Sequence, residues 1–276
     1  MRSLSEPLVS NGYTLDSTPE RMGWLEPTDA SLPPEQLWEK YRRHGYLWLK
    51  EFFERNVILD FRQYFFDMIS SGAKTFFEVV SSQEYEDFCT MPRLWNFYQE
   101  FLGGRPYLHK RKIIRFTYPG SNHCTGGHYD LIYLRAGTDR LCTSWIPLGD
   151  IPVEMGGLIY LEHSDAVGRQ MEAEFRVKNA NLPPEERFSA FNRNMRENGW
   201  ISTDLAAMAD LFKSRWLIAD YEAGDMVIHS PYMIHAATQN RDPLNRTRLS
   251  TDIRFQRTDD PIDPRWANNW VPDDNL

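Results

Sequence analysis

From Tyr107 onward the chain breaks into short segments rich in β-branched and aromatic residues, each stopped by Gly, Pro, Asp or Asn. They run HKRKIIRFTYPG, GHYDLIYLRAG, DRLCTSWIPLGD, GGLIYLEHS, SRWLIADYEAGD, MVIHSPYMIHAA and TRLSTDIRFQR. Seven or more strands punctuated in this way predict a mainly β fold, a sandwich or a barrel. Ahead of them the texture is helical. Pro33-Pro34 followed by EQLWEKYRRHG predicts a helix with proline in its first turn, Leu37, Trp38 and Tyr41 on one face, and Gly45 ending it. Residues 45–53 (GYLWLKEFF) read as a first strand, and 54–71 and 83–102 as two flanking helices. In the first of these, Phe61, Tyr64, Phe65 and Met68 form an apolar stripe facing the core. Residues 1–33 show no periodicity and are expected to drape as an irregular arm. Residues 165–214 are polar, largely helical in pattern and too long for a plain connection, so an insertion serving as a lid or substrate loop is expected. The whole, 1–276, reads as one domain.

Charge and composition narrow the partners. A net charge of −8 argues against nucleic acid and anionic membranes, both of which call for basic patches. Cys89, Cys124 and Cys142 follow no paired spacing, which suggests a reducing, cytoplasmic setting. The first residues lack the apolar segment of a signal peptide, and no apolar run is long enough to span a bilayer. An aromatic content of 14% suits β-rich cores and apolar small-molecule pockets. Oligomeric state is not legible.

His128 and Asp130 stand two apart in GGHYDLIY. If that segment is extended, both side chains project from one face and aim at one point, with Tyr129 turned away. His235, in GDMVIHSPYMIHAATQN, follows a GD turn and an apolar strand and would reach the same point from a neighbouring strand. Two imidazoles and one carboxylate can hold a single Fe(II) on one face and leave the opposite positions open for oxygen and a co-substrate. Zn(II) at the same residues, in a hydrolase or isomerase, is the alternative. An HxD triplet alone is common by chance; the combination with His235 and the basic residues after it points to a metal. Arg246, eleven positions past His235, is expected to grip a co-substrate carboxylate, with Arg248 on the same strand face as its rival. Of His109, His123, His163 and His229, the last is the strongest competitor, and it reads as a strand-interior residue supporting the ligands.

With Trp145, the glycines of GGL at 156–158, GD at 224–225, Ser250 and the opening GYLWLKEFF, these pieces resemble the phytanoyl-CoA dioxygenase family of Fe(II)/2-oxoglutarate oxygenases over residues 35–257. The resemblance implies a double-stranded β-helix, a jelly-roll of two facing sheets backed by N-terminal helices. It implies His128, Asp130 and His235 as iron ligands, Arg246 on the distal carboxylate of 2-oxoglutarate, and Trp145 beside that co-substrate. A guanidinium suits the task because it forks onto a carboxylate through two parallel hydrogen bonds. The chain departs from the family pattern after its GGL strand, which runs on as LEHSDAV, and two residues past His235, where Ala237 stands. Thr238 is the hydroxyl next to it. A carboxylate at Asp130 also disfavours halogenation, which in similar enzymes needs a small residue there.

The implied reaction is oxidation, in the simplest case hydroxylation, of an unactivated C–H bond, with O2 consumed and 2-oxoglutarate converted to succinate and CO2. A small, largely hydrophobic molecule, such as a specialised metabolite, is the expected substrate. Tyr129, Tyr133, Phe116, Trp200, Trp216 and Tyr232 are candidate pocket residues, each with an ordinary place in a core as its alternative. An acyl-CoA is disfavoured because residues 165–214 carry no dense basic run, and Lys110-Arg111-Lys112 reads as a solvated cluster. A non-catalytic partner subunit would be expected to show a broken ligand triad.

Overall fold

The computed structural model describes residue 4 and residues 6–183, 186–187 and 199–272. Two facing sheets form its centre. Counting from the N-terminus, the arm supplies β1 (Val9–Ser10), β2 (Tyr13–Thr14), β3 (Met22–Trp24) and β4 (Pro27–Thr28). The helical part holds α1 (Pro34–His44), β5 (Tyr46–Leu49), α2 (Arg55–Ser70), α3 (Phe76–Val80), α4 (Gln83–Cys89) and α5 (Pro92–Phe101). Then come β6 (Pro106–Leu108), β7 (Ile113–Thr117), α6 (Leu131–Leu134), β8 (Leu141–Pro147) and β9 (Leu158–Leu161). The chain closes with α7 (Ser164–Lys178), α8 (Leu205–Leu211), β10 (Trp216–Ile218), β11 (Met226–His229), β12 (His235–Ala237) and β13 (Arg248–Arg257).

The larger sheet runs β4-β5-β11-β8-β13-β6, with β7 also paired to β13; the smaller runs β12-β9-β10-β3. Their inner faces meet through Trp48, Trp145 and Val227 on one side and Leu158, Tyr160 and Leu217 on the other. This is the jelly-roll expected from the sequence. The outer face of the larger sheet is covered by the helices: Leu47, Leu49, Cys142, Ile146, Ile253 and Phe255 share a core with residues of α1, α2, α4 and α5. The period of two along a strand divides β13 cleanly. Leu249, Thr251, Ile253 and Phe255 serve the helical side, where Tyr85 meets the Thr251 hydroxyl, and Arg248, Ser250, Asp252 and Arg254 turn inward.

Two expectations change. The arm is not wholly irregular: β3 lies parallel to β10 and β4 parallel to β5, extending both sheets. Strands of two or three residues show too little alternation to be read locally, and their partners lie far along the chain. The helix expected over 83–102 is two, because Pro92 has no N–H to continue α4 and instead begins α5. The short α3 is closed by a capping box between Thr75 and Glu78. Within 165–214, α7 packs onto the body through Glu172, which accepts from Tyr129 and Arg135. Residues 184–185 and 188–198, at the heart of the expected lid, lie outside the described residues.

Candidate metal centre

His128 and His235 are joined by an isolated bridge in which each backbone N–H donates to the other's carbonyl, at 3.1 and 2.9 Å. Their rings lie 4.2 Å apart, centroid to centroid. Gly127, next to the bridge, packs against α8: a Cβ there would stand 2.5 Å from Met208 Sδ. The strand expected of GGHYDLIY stops at this bridge. Asp130 has φ −64 and ψ −31 and opens α6, so a helical turn, not strand parity, brings its carboxylate back to the histidines. The apolar run LIYL is buried at Leu131, Ile132 and Leu134, and a run with that little alternation does not distinguish strand from helical turn.

His128, Asp130 and His235 offer ligand atoms that all lie within 4.8 Å of one another, and all three residues are buried. Asp130 Oδ1 is 3.8 Å from His128 Nε2 and 3.6 Å from His235 Nε2. The other oxygen, Oδ2, is held from behind. It accepts from the Thr143 hydroxyl and, at 3.2 Å, from Arg254 Nη2, while His229 Nε2 stands 3.4 Å away. His229 in turn meets the Tyr160 hydroxyl through Nδ1 at 2.9 Å. Such supporting contacts fix which oxygen faces a metal.

The protonation states suit a cation. His128 Nδ1 lies 2.9 Å from Gly126 O, and His235 Nδ1 lies 2.9 Å from Met233 O. A carbonyl only accepts, so each Nδ1 carries the proton and each Nε2 lone pair is turned toward the cluster. Burial lowers both imidazoles below their ordinary range, the effect on His235 being reinforced by its histidine neighbours. Burial alone would raise the Asp130 carboxyl, but Arg254 and the adjoining histidines hold it well below the usual carboxylate range. Neutral imidazoles and an ionised carboxylate are the forms that bind metal. The donor set fits Fe(II) held on one face.

Beside this cluster lies a cavity of about 300 Å³ lined by Arg115, Thr125, Thr238 and Arg248 among others. Arg248 is 5% exposed. Its Nη1 donates to Gly156 O, while its Nε, the Thr238 hydroxyl and the Ser250 hydroxyl are buried without a partner among the described residues. Burial, with Arg115 nearby, pushes the Arg248 guanidinium down to about 10. A buried cation beside unfilled donors fits an incoming carboxylate.

Arg246 is elsewhere. Its side chain is 42% exposed and forks onto Asp242, with Nε to Oδ2 at 2.9 Å and Nη2 to Oδ1 at 2.8 Å. Asp242 also closes the turn ahead of the strand, accepting from the backbone N–H of Arg246 and, through its carbonyl, of Asn245. The strand therefore begins at Arg248, and spacing from His235 picked a turn residue. Trp145 is 1% exposed and packs against Tyr221 at 4.6 Å in the inter-sheet core.

Of the aromatic candidates, Phe116 lines the Arg248 cavity, and Tyr133 and Trp200 line a second cavity of about 180 Å³ that opens onto His128 and Asp130. Tyr129, Trp216 and Tyr232 are core residues whose polar atoms bond to Glu172, Leu205 O and Asp139. The basic triplet is not solvated throughout: Arg111 and Lys112 are 4% and 2% exposed, Lys112 pairing with Glu86. Sequence reasoning also missed Thr143 and Arg254. Charged residues at alternate positions of an otherwise apolar strand, as in RLSTDIR, were the signal for Arg254.

Residues 41–247 match the family model described as phytanoyl-CoA dioxygenase (PhyH). No curated protein sequence matches the chain. Among solved structures it is similar to the non-heme alpha ketoglutarate dependent carbocyclase SnoK from nogalamycin biosynthesis, at 18% identity and a TM-score of 0.60, over 87% of this chain and 90% of that one. The epimerase SnoN, in complex with Fe3+, alpha ketoglutarate and nogalamycin RO, is 18% identical with a TM-score of 0.59, over 84% and 86%. EctD from S. alaskensis with bound Fe is 13% identical with a TM-score of 0.59, over 95% and 93%. At such identities the likeness is one of fold.

Proposed function

The chain belongs to the phytanoyl-CoA dioxygenase family, and on that premise we propose that it is an Fe(II)- and 2-oxoglutarate-dependent oxygenase that hydroxylates an unactivated C–H bond of a small, largely apolar molecule. The observation that carries this reading is the pairing of the His128–Asp130–His235 cluster with the buried, partly unfilled guanidinium of Arg248. His128, Asp130 and His235 would hold the iron. Arg248, in place of Arg246, would take the distal carboxylate of 2-oxoglutarate, with the Thr238 and Ser250 hydroxyls as further donors. Thr143 and Arg254 keep the inner oxygen of Asp130 turned to the metal. When bound, iron with 2-oxoglutarate and O2 supplies C–H oxidation with release of succinate and CO2. The protein contributes orientation and a site walled by aromatic rings that excludes water.

A zinc hydrolase on the same ligands would leave Arg248 without a task. Two of the similar structures are described as a carbocyclase and an epimerase, so C–H oxidation on this fold need not end in an alcohol. Anaerobic addition of Fe(II) and 2-oxoglutarate tests the reading. A weak visible charge-transfer band is expected, and iron binding without the band would refute it.

A further inference from the structure

The cavity that His128 and Asp130 open into is not built for a purely apolar guest. Arg111, Arg115 and Arg254 stand in its walls among Tyr133, Trp200 and Trp266. Arg254 is 3% exposed, and among the described residues its Nη2 donates to Asp130. Its Nε and Nη1 are buried and have no partner among the described residues. The guanidinium lies 4.5 Å over the Trp266 ring, and that of Arg111 lies 5.2 Å over the same indole. Two buried cations thus share one aromatic ring.

The charges around the site can be followed group by group. Arg115 is met by Asp252 at 2.6 Å. On the proposed function, Arg248 is met by the distal carboxylate of 2-oxoglutarate. The two charges of Fe(II) are met by Asp130 and by the other carboxylate of the co-substrate. Asp130, once it serves the metal, no longer cancels Arg254. A cation buried without a counter-charge is strongly disfavoured, and an anion in contact with it offsets that penalty. The unfilled N–H groups of Arg254 supply the hydrogen bonds as well as the charge.

We propose that this cavity takes a small organic acid, an apolar body bearing a carboxylate that docks on Arg254 with Arg111 beside it, the body resting on Trp200 and Tyr133. This rests on the oxygenase reading and deepens it by naming the substrate class. It also fixes where the substrate reacts. The anchor touches the metal ligand itself, so the oxidised carbon lies within a few bonds of the acid group.

The test is a binding experiment, independent of turnover. The iron-loaded protein, anaerobic and saturated with 2-oxoglutarate, is titrated calorimetrically with hexanoate, benzoate, phenylacetate and cinnamate, each beside its primary amide. At least one acid is expected to bind about tenfold tighter than its amide, the worth of one charge-assisted contact. In Arg111→Gln, that acid should lose a measurable part of this advantage, about two- to threefold, while the amide binds as before. A panel in which no acid outbinds its amide overturns the proposal. So does an acid displaced by excess 2-oxoglutarate, or a preference that Arg111→Gln leaves intact. Failure of the oxygenase reading shows elsewhere, as a missing charge-transfer band in the unsubstituted protein, whatever the acids do.

Discussion

Arg254 Nη2 donates to Asp130 Oδ2 at 3.2 Å, the oxygen turned away from the two histidines. The Thr143 hydroxyl donates to the same atom. The carboxylate is therefore oriented before any metal arrives. Loss of one support should loosen it without removing a ligand.

Thr143→Val keeps the shape of the side chain and deletes that donor. Contacts of this kind typically change metal affinity by about 10- to 100-fold. Fe(II) or Co(II) titration should show a weakening in that range, with the protein still folded. Unchanged metal affinity would mean that Arg254 alone orients Asp130.

Arg248→Leu and Arg246→Leu should part company. The first removes the buried cation of the larger cavity and should weaken 2-oxoglutarate by about 100-fold, the worth of a charge-assisted pair. The second removes a half-exposed ion pair with Asp242 and should leave that affinity within about twofold. Spectroscopic titration with 2-oxoglutarate would show the opposite ranking if Arg246 held the carboxylate.

Glu172 is 2% exposed, and its carboxylate takes Arg135 at 2.8 Å and Arg176 at 3.3 Å together with the Tyr129 hydroxyl. It ties α7 to the turn that carries Asp130. Glu172→Ala would leave the buried Arg135 without this counter-charge, at a cost of about 3–5 kcal/mol. Urea unfolding should show that loss, and a change below about 1 kcal/mol would mean that solvent reaches the network.

His109 is fully buried, its Nε2 2.8 Å from the Gln256 side-chain oxygen. Burial pushes its imidazole down to about 4. Above the ordinary value near 6.5 the ring is neutral folded and unfolded alike and adds no pH dependence. As pH falls from there toward 4, the unfolded chain takes up a proton that the folded one resists, so stability is lost. By pH 4.5 the loss from this group is about 2.5 kcal/mol. His109→Gln should flatten the acid limb of a stability-against-pH curve by that amount, and an unaltered limb would place the acid sensitivity elsewhere.

The His128–Asp130–His235 cluster was legible because few residue types bind metals and three of them fall within a strand-rich stretch. The two-sheet core was legible because β-branched and aromatic runs alternate along β8 and β13. The place of Arg248 in the cavity wall was hidden because the turn closed by Asp242 holds Arg246 outside the strand, which spacing from His235 does not reveal. The helical turn at Asp130 was hidden by an unalternating apolar run. Arg111 and Lys112 were taken for solvated charges because their burial depends on Trp266 and Glu86, which lie far along the chain.

The two-sidedness of β13 divides the consequences of mutation within a single strand. Changes at Leu249, Thr251, Ile253 and Phe255 disturb packing against the helices and should appear as altered folding with the chemistry intact in whatever folds. Changes at Arg248 and Arg254, which line the two cavities, and at Asp252, which pairs with Arg115 in both walls, should alter ligand and metal binding in a protein that still assembles. A register slip of one residue would exchange the two sets and abolish both at once. The ladder to β8, seven residue pairs long from Ser250 to Gln256, therefore guards binding specificity as much as stability.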